Sequence, residues 1–208
     1  MKWITLVLVL MTSLPAVASE MDSGLLEIQH RWAQIQYQLE KDKREQAFEK
    51  LAGQANELVS AYPDRAEPLI WQGIVLSTWA GAKGGFGALG LVKDARKSLE
   101  KALQIDPAAL DGSAYTSLGS LYYQVPGWPL GYGDDEKARK LLLKALELNP
   151  DGMDPNYFYG DFLIEQGEEK RAQPYLQRVL QAPARPERPV ADAGRREEAK
   201  AKLMALGD

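Results

Sequence analysis

Apolar residues recur at spacings of three and four along most of this chain. Leu25, Ile28, Trp32, Ile35 and Leu39 set the rhythm over residues 22–40, and that spacing lines one face of a helix. The same reading predicts a helix over 47–61, ended by Tyr62-Pro63-Asp64, and another over 66–80, with Pro68 in a first turn where a missing N–H costs little. A fourth runs over 91–105 and stops before Asp106-Pro107. A fifth runs from a cap at Asp111 or Ser113 to Gln124. A sixth covers 134–148, with Asp134, Asp135 and Glu136 at the end that favours negative charge. A seventh runs from Asp154 or Pro155 to Gln166, with Gly167 as its C-cap. The eighth spans 168–182, where Pro174 is expected to bend or shorten the start. After a proline-rich loop over 183–189 comes a ninth, 191–206, whose alternating charges read as a solvated capping helix. No window sustains the alternation of a strand, so the expected fold class is all-α.

The first residues follow another pattern. Lys2 precedes an apolar stretch from Trp3 to Leu14, and Ala16-Val17-Ala18 supplies a small-x-small cleavage site. This reads as a secretory leader, residues 1–18, removed to leave one domain over 19–208, with a periplasmic or secreted destination. The stretch is short for a membrane span, so the mature chain is not expected to be membrane-embedded.

Three helix pairs share one internal pattern. Gly73 is followed by Ala95, Leu99, Ala102 and Pro107; Gly119 by Ala138, Leu142, Ala145 and Pro150; Gly160 by Ala172, Leu176, Val179 and Pro183. The segments DARKSLEKALQIDP (94–107) and KARKLLLKALELNP (137–150) match position for position from the alanine onward. A glycine on the first helix of a pair (helix A) lets the second (helix B) cross closely. Alanines on helix B keep the pair tight, and one pair alone cannot bury its apolar face, so pairs must stack.

This pattern resembles the tetratricopeptide repeat (TPR) family over residues 66–183, in units of about 66–107, 112–150 and 153–183, with a degenerate unit at 32–63. The resemblance implies a right-handed superhelical solenoid whose A helices line a concave face. The chain departs from the family's repeat of about 34 residues. Gly73 and Gly119 stand 46 apart, and Gly119 and Gly160 stand 41 apart. The excess falls between helices A and B, at 81–90 and 125–133, so long intra-repeat loops are expected on one edge of the stack, where insertions tend to mark function. The run GWPLGYGDDEKA with NPDGMDPNYFYGDFLIEQG also resembles exported helical-repeat proteins related to the accessory component of tripartite ATP-independent periplasmic transporters. Members of that group are often lipid-anchored through a cysteine, which this chain lacks.

Composition narrows the chemistry. With no cysteine and one histidine in 208 residues, thiol nucleophiles, disulfides and Cys- or His-rich metal sites are excluded. A net charge of -4 does not suit a nucleic-acid binder, which would carry a basic stripe. GAKGGFGALG around Lys83 lacks the order and the hydroxyl of a phosphate loop. His30, beside Arg31, has no second ligand or catalytic partner in the sequence. Asp161 and Glu165 share a helix face and, with Asp134 and Asp135, are the acidic residues that an enzyme reading would use. Helix-start roles for Asp134 and Asp135, and a solvated face for Asp161 and Glu165, account for them better.

The expected function is therefore non-enzymatic binding of a protein or peptide, without cofactor, metal or nucleic acid. A small-ligand accessory protein of a periplasmic transport system is the alternative, and an acidic-site enzyme the lesser one. The candidate binding residues are Trp71, Tyr115, Tyr122, Asn156 and Tyr159 on A helices, with Trp128 and Tyr132 from the second insertion. Trp128 has two readings, a recognition ring or a plug fixing its loop to the stack.

Overall fold

A computed structural model describes residues 14–207, with the side chains described from residue 20 onward. The leader expected at 1–18 lies outside the described residues except for the backbone of 14–18. The described residues form nine helices: α1 (Leu14–Gln38), α2 (Lys41–Ala61), α3 (Ala66–Lys83), α4 (Ala88–Ile105), α5 (Ala109–Gln124), α6 (Asp135–Leu148), α7 (Met153–Glu165), α8 (Glu169–Gln181) and α9 (Pro189–Gly207). The pairs α3/α4, α5/α6 and α7/α8 stack as antiparallel repeats, with α1 and α2 before them. Among the described residues no helix is long and apolar enough to cross a membrane.

The repeat rests on three close crossings. A Cβ placed on Gly73 would lie 2.6 Å from Leu99, one on Gly119 2.7 Å from Leu142, and one on Gly160 3.0 Å from Leu176. Each leucine is fully buried, as are Ala95, Ala102, Ala138, Ala145 and Ala172 beside them. Small residues thus let the B helix approach until a leucine from it covers the bare backbone of the A helix. At Gly73 and Gly119 such packing leaves no room for an added methyl, and at Gly160 the fit is looser.

Several boundaries differ from the sequence reading. Helix α2 starts at Lys41 rather than residue 47, because the polar run KDKREQ is a charged, exposed first turn and not a linker. The first insertion is mostly helix: α3 extends through Lys83 and α4 begins at Ala88, leaving a turn at 84–87 in which Gly84 and Gly85 take positive φ. Pro174 does not shorten α8, which runs unbroken through it. The backbone at Leu110, Asp111 and Gly112 is left-handed, so the regular part of α5 begins near Ser113.

Helix α9 is not the wholly solvated cap that its charges suggest. It buries Ala191, Asp192, Arg195 and Ala199, and it returns across the stack to α1 as well as resting on α7 and α8. The ring of Tyr37 lies against Gly194, where a Cβ would come within 2.3 Å of it, and the Tyr37 hydroxyl donates to Glu198 at 3.3 Å. The first and last of the described helices therefore meet.

Candidate functional site

The concave side holds a cavity of about 590 Å³. Its walls come from α1, α2, α3, α5, α7, α9 and the residue preceding α9; α4, α6 and α8 contribute nothing. Within the three repeats this is the division of labour expected of A and B helices; α1, α2 and α9 complete the wall from outside them.

One wall is aromatic. Trp32 meets Tyr37 edge-on at 5.8 Å and Trp71 at 6.0 Å, and its indole N–H donates to Thr78 Oγ1 at 2.9 Å. The Arg188 guanidinium covers the Trp71 ring at 4.9 Å, a stack that suits a planar cation. Another part of the lining is polar: α5 contributes Ser113, Thr116, Ser117 and Ser120 at spacings of three and four.

An ion-pair lattice ties α9 to the cavity's rim. Asp154 accepts from Arg185 Nη1 at 2.7 Å and from Arg195 Nε at 3.0 Å. Arg195 also meets Glu198 at 2.7 Å, and Arg185 also holds Asp192. Burial opposes ionisation of Asp154, but the guanidiniums of Arg195, Arg185 and Arg188 prevail and hold its carboxyl well below the usual range. Burial pushes the Tyr37 and Tyr157 phenols up, so both remain neutral hydroxyls at physiological pH.

A second feature lies where the two A–B connections meet. An apolar groove of about 440 Å³ is floored by Ala80, Leu89, Val92, Leu121 and Val125. Phe86 and Leu130 line it, 86% and 60% exposed, and Trp128 stands 90% exposed in the same loop as Leu130. The 125–134 loop is fixed at both ends. Gly133 N donates to Pro126 O at 3.0 Å, Asp134 N to Tyr122 O at 2.8 Å, and the Tyr132 hydroxyl to Val92 O at 2.7 Å. A Cβ on Gly131 or Gly133 would collide with the backbone oxygens of Pro126 or Val125, at 2.3 Å and 2.0 Å, so glycine is what permits this closed shape.

The candidate residues do not share one surface. Trp71 lines the cavity. Tyr115 is half-buried and lines neither feature. Tyr122 is buried, packed edge-on to Tyr132 at 5.4 Å. Tyr159 is buried against Tyr175 and Phe162. Asn156 is fully buried, with its amide donating to the carbonyls of Pro150 and Gly152 at 2.8 Å each, a link between α7 and the turn before it. Tyr132 anchors its loop, and Trp128 plugs nothing. Of the residues set aside for other chemistry, Asp161 is engaged by the Tyr123 hydroxyl at 2.6 Å and by Lys202 at 2.5 Å, while Glu165 is exposed. His30 Nε2 lies 2.5 Å from the Glu187 carbonyl on the surface. Among the described residues no cluster of three or more His, Cys, Asp or Glu side chains is placed to hold a metal ion.

Among the cavity-lining residues that sequence reasoning missed are Lys41, Arg44, Arg188 and the α5 hydroxyls. The hydroxyl stripe was visible as Ser and Thr at helical spacing within an otherwise apolar helix. Arg188 sits in PARPERP, where nothing local says which way it points.

The three glycine–leucine crossings, with the A helices lining one concave wall, decide the architecture. The fold is TPR-like. A solved neighbour agrees: a thermophilic TPR protein of Thermus thermophilus, TTC0263, is 21% identical with a TM-score of 0.56, over 87% of this chain and 89% of that one. Two further structures align at lower scores. MamA is 22% identical with a TM-score of 0.45, over 79% of this chain and 90% of that one. Pseudomonas aeruginosa PilF is 15% identical with a TM-score of 0.37, over 92% and 90%. No sequence-family profile and no curated protein matches the chain.

Proposed function

We propose that this chain is an exported, non-catalytic binding protein of the TPR type, which holds an apolar segment of a partner protein against the edge where its two A–B connections meet. The observation that carries this reading is the pairing of Phe86 and Leu130 across a preformed apolar groove, with Trp128 exposed beside it. Large aromatic and aliphatic side chains left in water on a rigid support are characteristic of interaction sites. A groove with a floor, rather than a bare protruding tip, suits side chains entering from a partner better than the flat surface of a lipid bilayer. Gln124 at the groove provides a carboxamide for a partner's backbone. The export part of the reading rests on Lys2, the apolar stretch and the Ala16-Val17-Ala18 site.

The test is affinity capture from a periplasmic extract, followed by reconstitution with the purified captured protein. The parent and an unrelated surface variant should retain it, and the double variant Phe86→Ser, Trp128→Ser should lose it. Undiminished binding by the double variant refutes the groove as the docking site.

A further inference from the structure

The concave cavity carries a charge pattern that the partner-binding reading leaves unused. The whole chain has a net charge of -4, yet the cavity is lined by four cations, Lys41, Arg44, Arg188 and Arg195, against two carboxylates, Asp154 and Asp161. Both carboxylates are already answered, Asp154 by Arg185 and Arg195, and Asp161 by Lys202. Lys41, Arg44 and Arg188 have no carboxylate within salt-bridge distance among the described residues. A cationic pocket inside an acidic protein focuses its field on what enters.

Arg188 is the centre of this pattern. Its guanidinium lies on the Trp71 face, its Nε is buried without a hydrogen-bond partner, and none of its side-chain nitrogens donates to a described residue. Leaving buried donors unpaired is costly, and the stack on Trp71 holds the guanidinium in one plane. A planar fork presented in this way matches a carboxylate, which it can meet with two parallel hydrogen bonds. In the same lining, Ser113, Thr116 and Ser117 carry hydroxyls that have no side-chain partner among the described residues. An apolar ligand would strand these groups, whereas one bearing hydroxyls of its own would satisfy them. The volume of about 590 Å³ falls in the range of small-molecule pockets. Helix α9, which returns to α1, adds Arg195 to the cavity's lining.

We propose that the concave cavity is a binding site for a small hydroxylated carboxylic acid, its carboxylate held by Arg188 with Arg44 and Lys41 in support, and its hydroxyls by the serine–threonine stripe of α5. This site adjoins the loop-edge groove, with Ser77, Gly81 and Gln124 common to both, but none of the residues proposed to hold the acid lines the groove, so each can fail without the other.

Isothermal titration of the purified protein with gluconate and glucuronate tests it, with glucose as the neutral counterpart and inorganic phosphate as the mineral anion. The expected result is saturable binding of an acid and none of glucose. Arg188→Gln should weaken that binding at least about tenfold, the loss of one charge-assisted hydrogen-bonded contact. Thr116→Val, which keeps shape and fold, should weaken it several-fold. If Arg188→Gln does not fold, the double variant Lys41→Gln, Arg44→Gln takes its place, and its melting temperature reports that the fold is kept. Absence of saturable binding of either acid up to about 10 mM, a ceiling weaker than specific sites of this kind, overturns the proposal. So does equal affinity in a folded Arg188→Gln variant, or binding of phosphate without binding of an acid.

Discussion

Replacing each crossing glycine by alanine sets two known effects against each other. Alanine is favoured over glycine inside a helix by about 1 kcal/mol. Overpacking a filled core costs roughly 1–3 kcal/mol. The geometry decides which wins at each site. At Gly73 the new Cβ meets Leu99 Cγ at 2.6 Å, with the Ala95 carbonyl at 3.2 Å behind it. At Gly119 it meets Leu142 Cγ at 2.7 Å, with the Leu142 backbone nitrogen at 3.3 Å. In both places the obstacle is the branch point of a fully buried leucine next to its own backbone, so relief requires the two helices to separate. At Gly160 the nearest atoms of Leu176 stand at 3.0 Å and the nearest backbone atom at 3.6 Å, so a shift of a few tenths of an ångström suffices. Gly73→Ala and Gly119→Ala should therefore destabilise by up to about 2 kcal/mol net, and Gly160→Ala should fall within about 0.5 kcal/mol of the parent. For a chain of this length each kcal/mol moves the melting temperature by about 2–4 °C. Thermal unfolding followed by circular dichroism reads the order directly. Gly160→Ala as the least stable of the three, or Gly119→Ala melting with the parent, would refute the argument that the crossings set the packing.

Trp128→Ala should leave stability within about 0.5 kcal/mol of the parent, as for other exposed positions; a loss of several kcal/mol in a denaturant titration would restore the plug reading. Tyr132→Phe removes the hydrogen bond to Val92 O and should cost about 0.5–1.5 kcal/mol, with faster amide exchange across residues 125–134 as its local signature. Asp154→Asn should destabilise by about 1–3 kcal/mol through the guanidiniums it leaves unpaired. Because the folded carboxyl ionises below its unfolded value, its contribution is complete above the ordinary carboxylate range and is lost as pH falls through that range and below. The parent's stability should therefore fall more steeply than the variant's on acidification below about pH 4, the unfolded carboxylate value, and parallel acid limbs would contradict that assignment. Export predicts an intact mass for the secreted protein that begins at Ser19, and a mature pool retaining Met1 would reject the leader.

The architecture was legible because its cause is local and repeated. Gly119, Ala138, Leu142 and Ala145 recur at fixed spacing, and each has one packing task wherever the unit occurs. Boundaries written in charge rather than hydrophobicity were not legible. KDKREQ looks like a linker in sequence and is the start of α2, since an exposed first turn needs no apolar residue. The candidate site was harder still. Aromatic residue type pointed to Tyr122, Tyr159 and Trp71 alike, but whether a ring faces its own repeat, the next repeat or the cavity depends on crossing angles that residue type does not carry. Asn156 looked like a ligand group and is a buried strut, because its amide finds two carbonyls only when α7 folds back on the Pro150–Gly152 turn. The Arg188 position depends on α9 reaching α1, a contact between residues more than a hundred and fifty positions apart.

That long-range contact changes what kind of object the stack is. An open array of repeats is close to one-dimensional: it frays from its ends, tolerates added or deleted units, and gains stability roughly in proportion to its length. Here the last helix is answerable to the first. Neither end can peel away without opening the other's seam, so melting should proceed as a single cooperative event rather than a progression along the array. A duplicated repeat would displace α9 from the Tyr37–Gly194 seat, and a deleted one would crowd it. Such a chain has surrendered the freedom to vary its repeat number. Its binding surfaces can diversify only through the side chains that point inward and the connections on its edge.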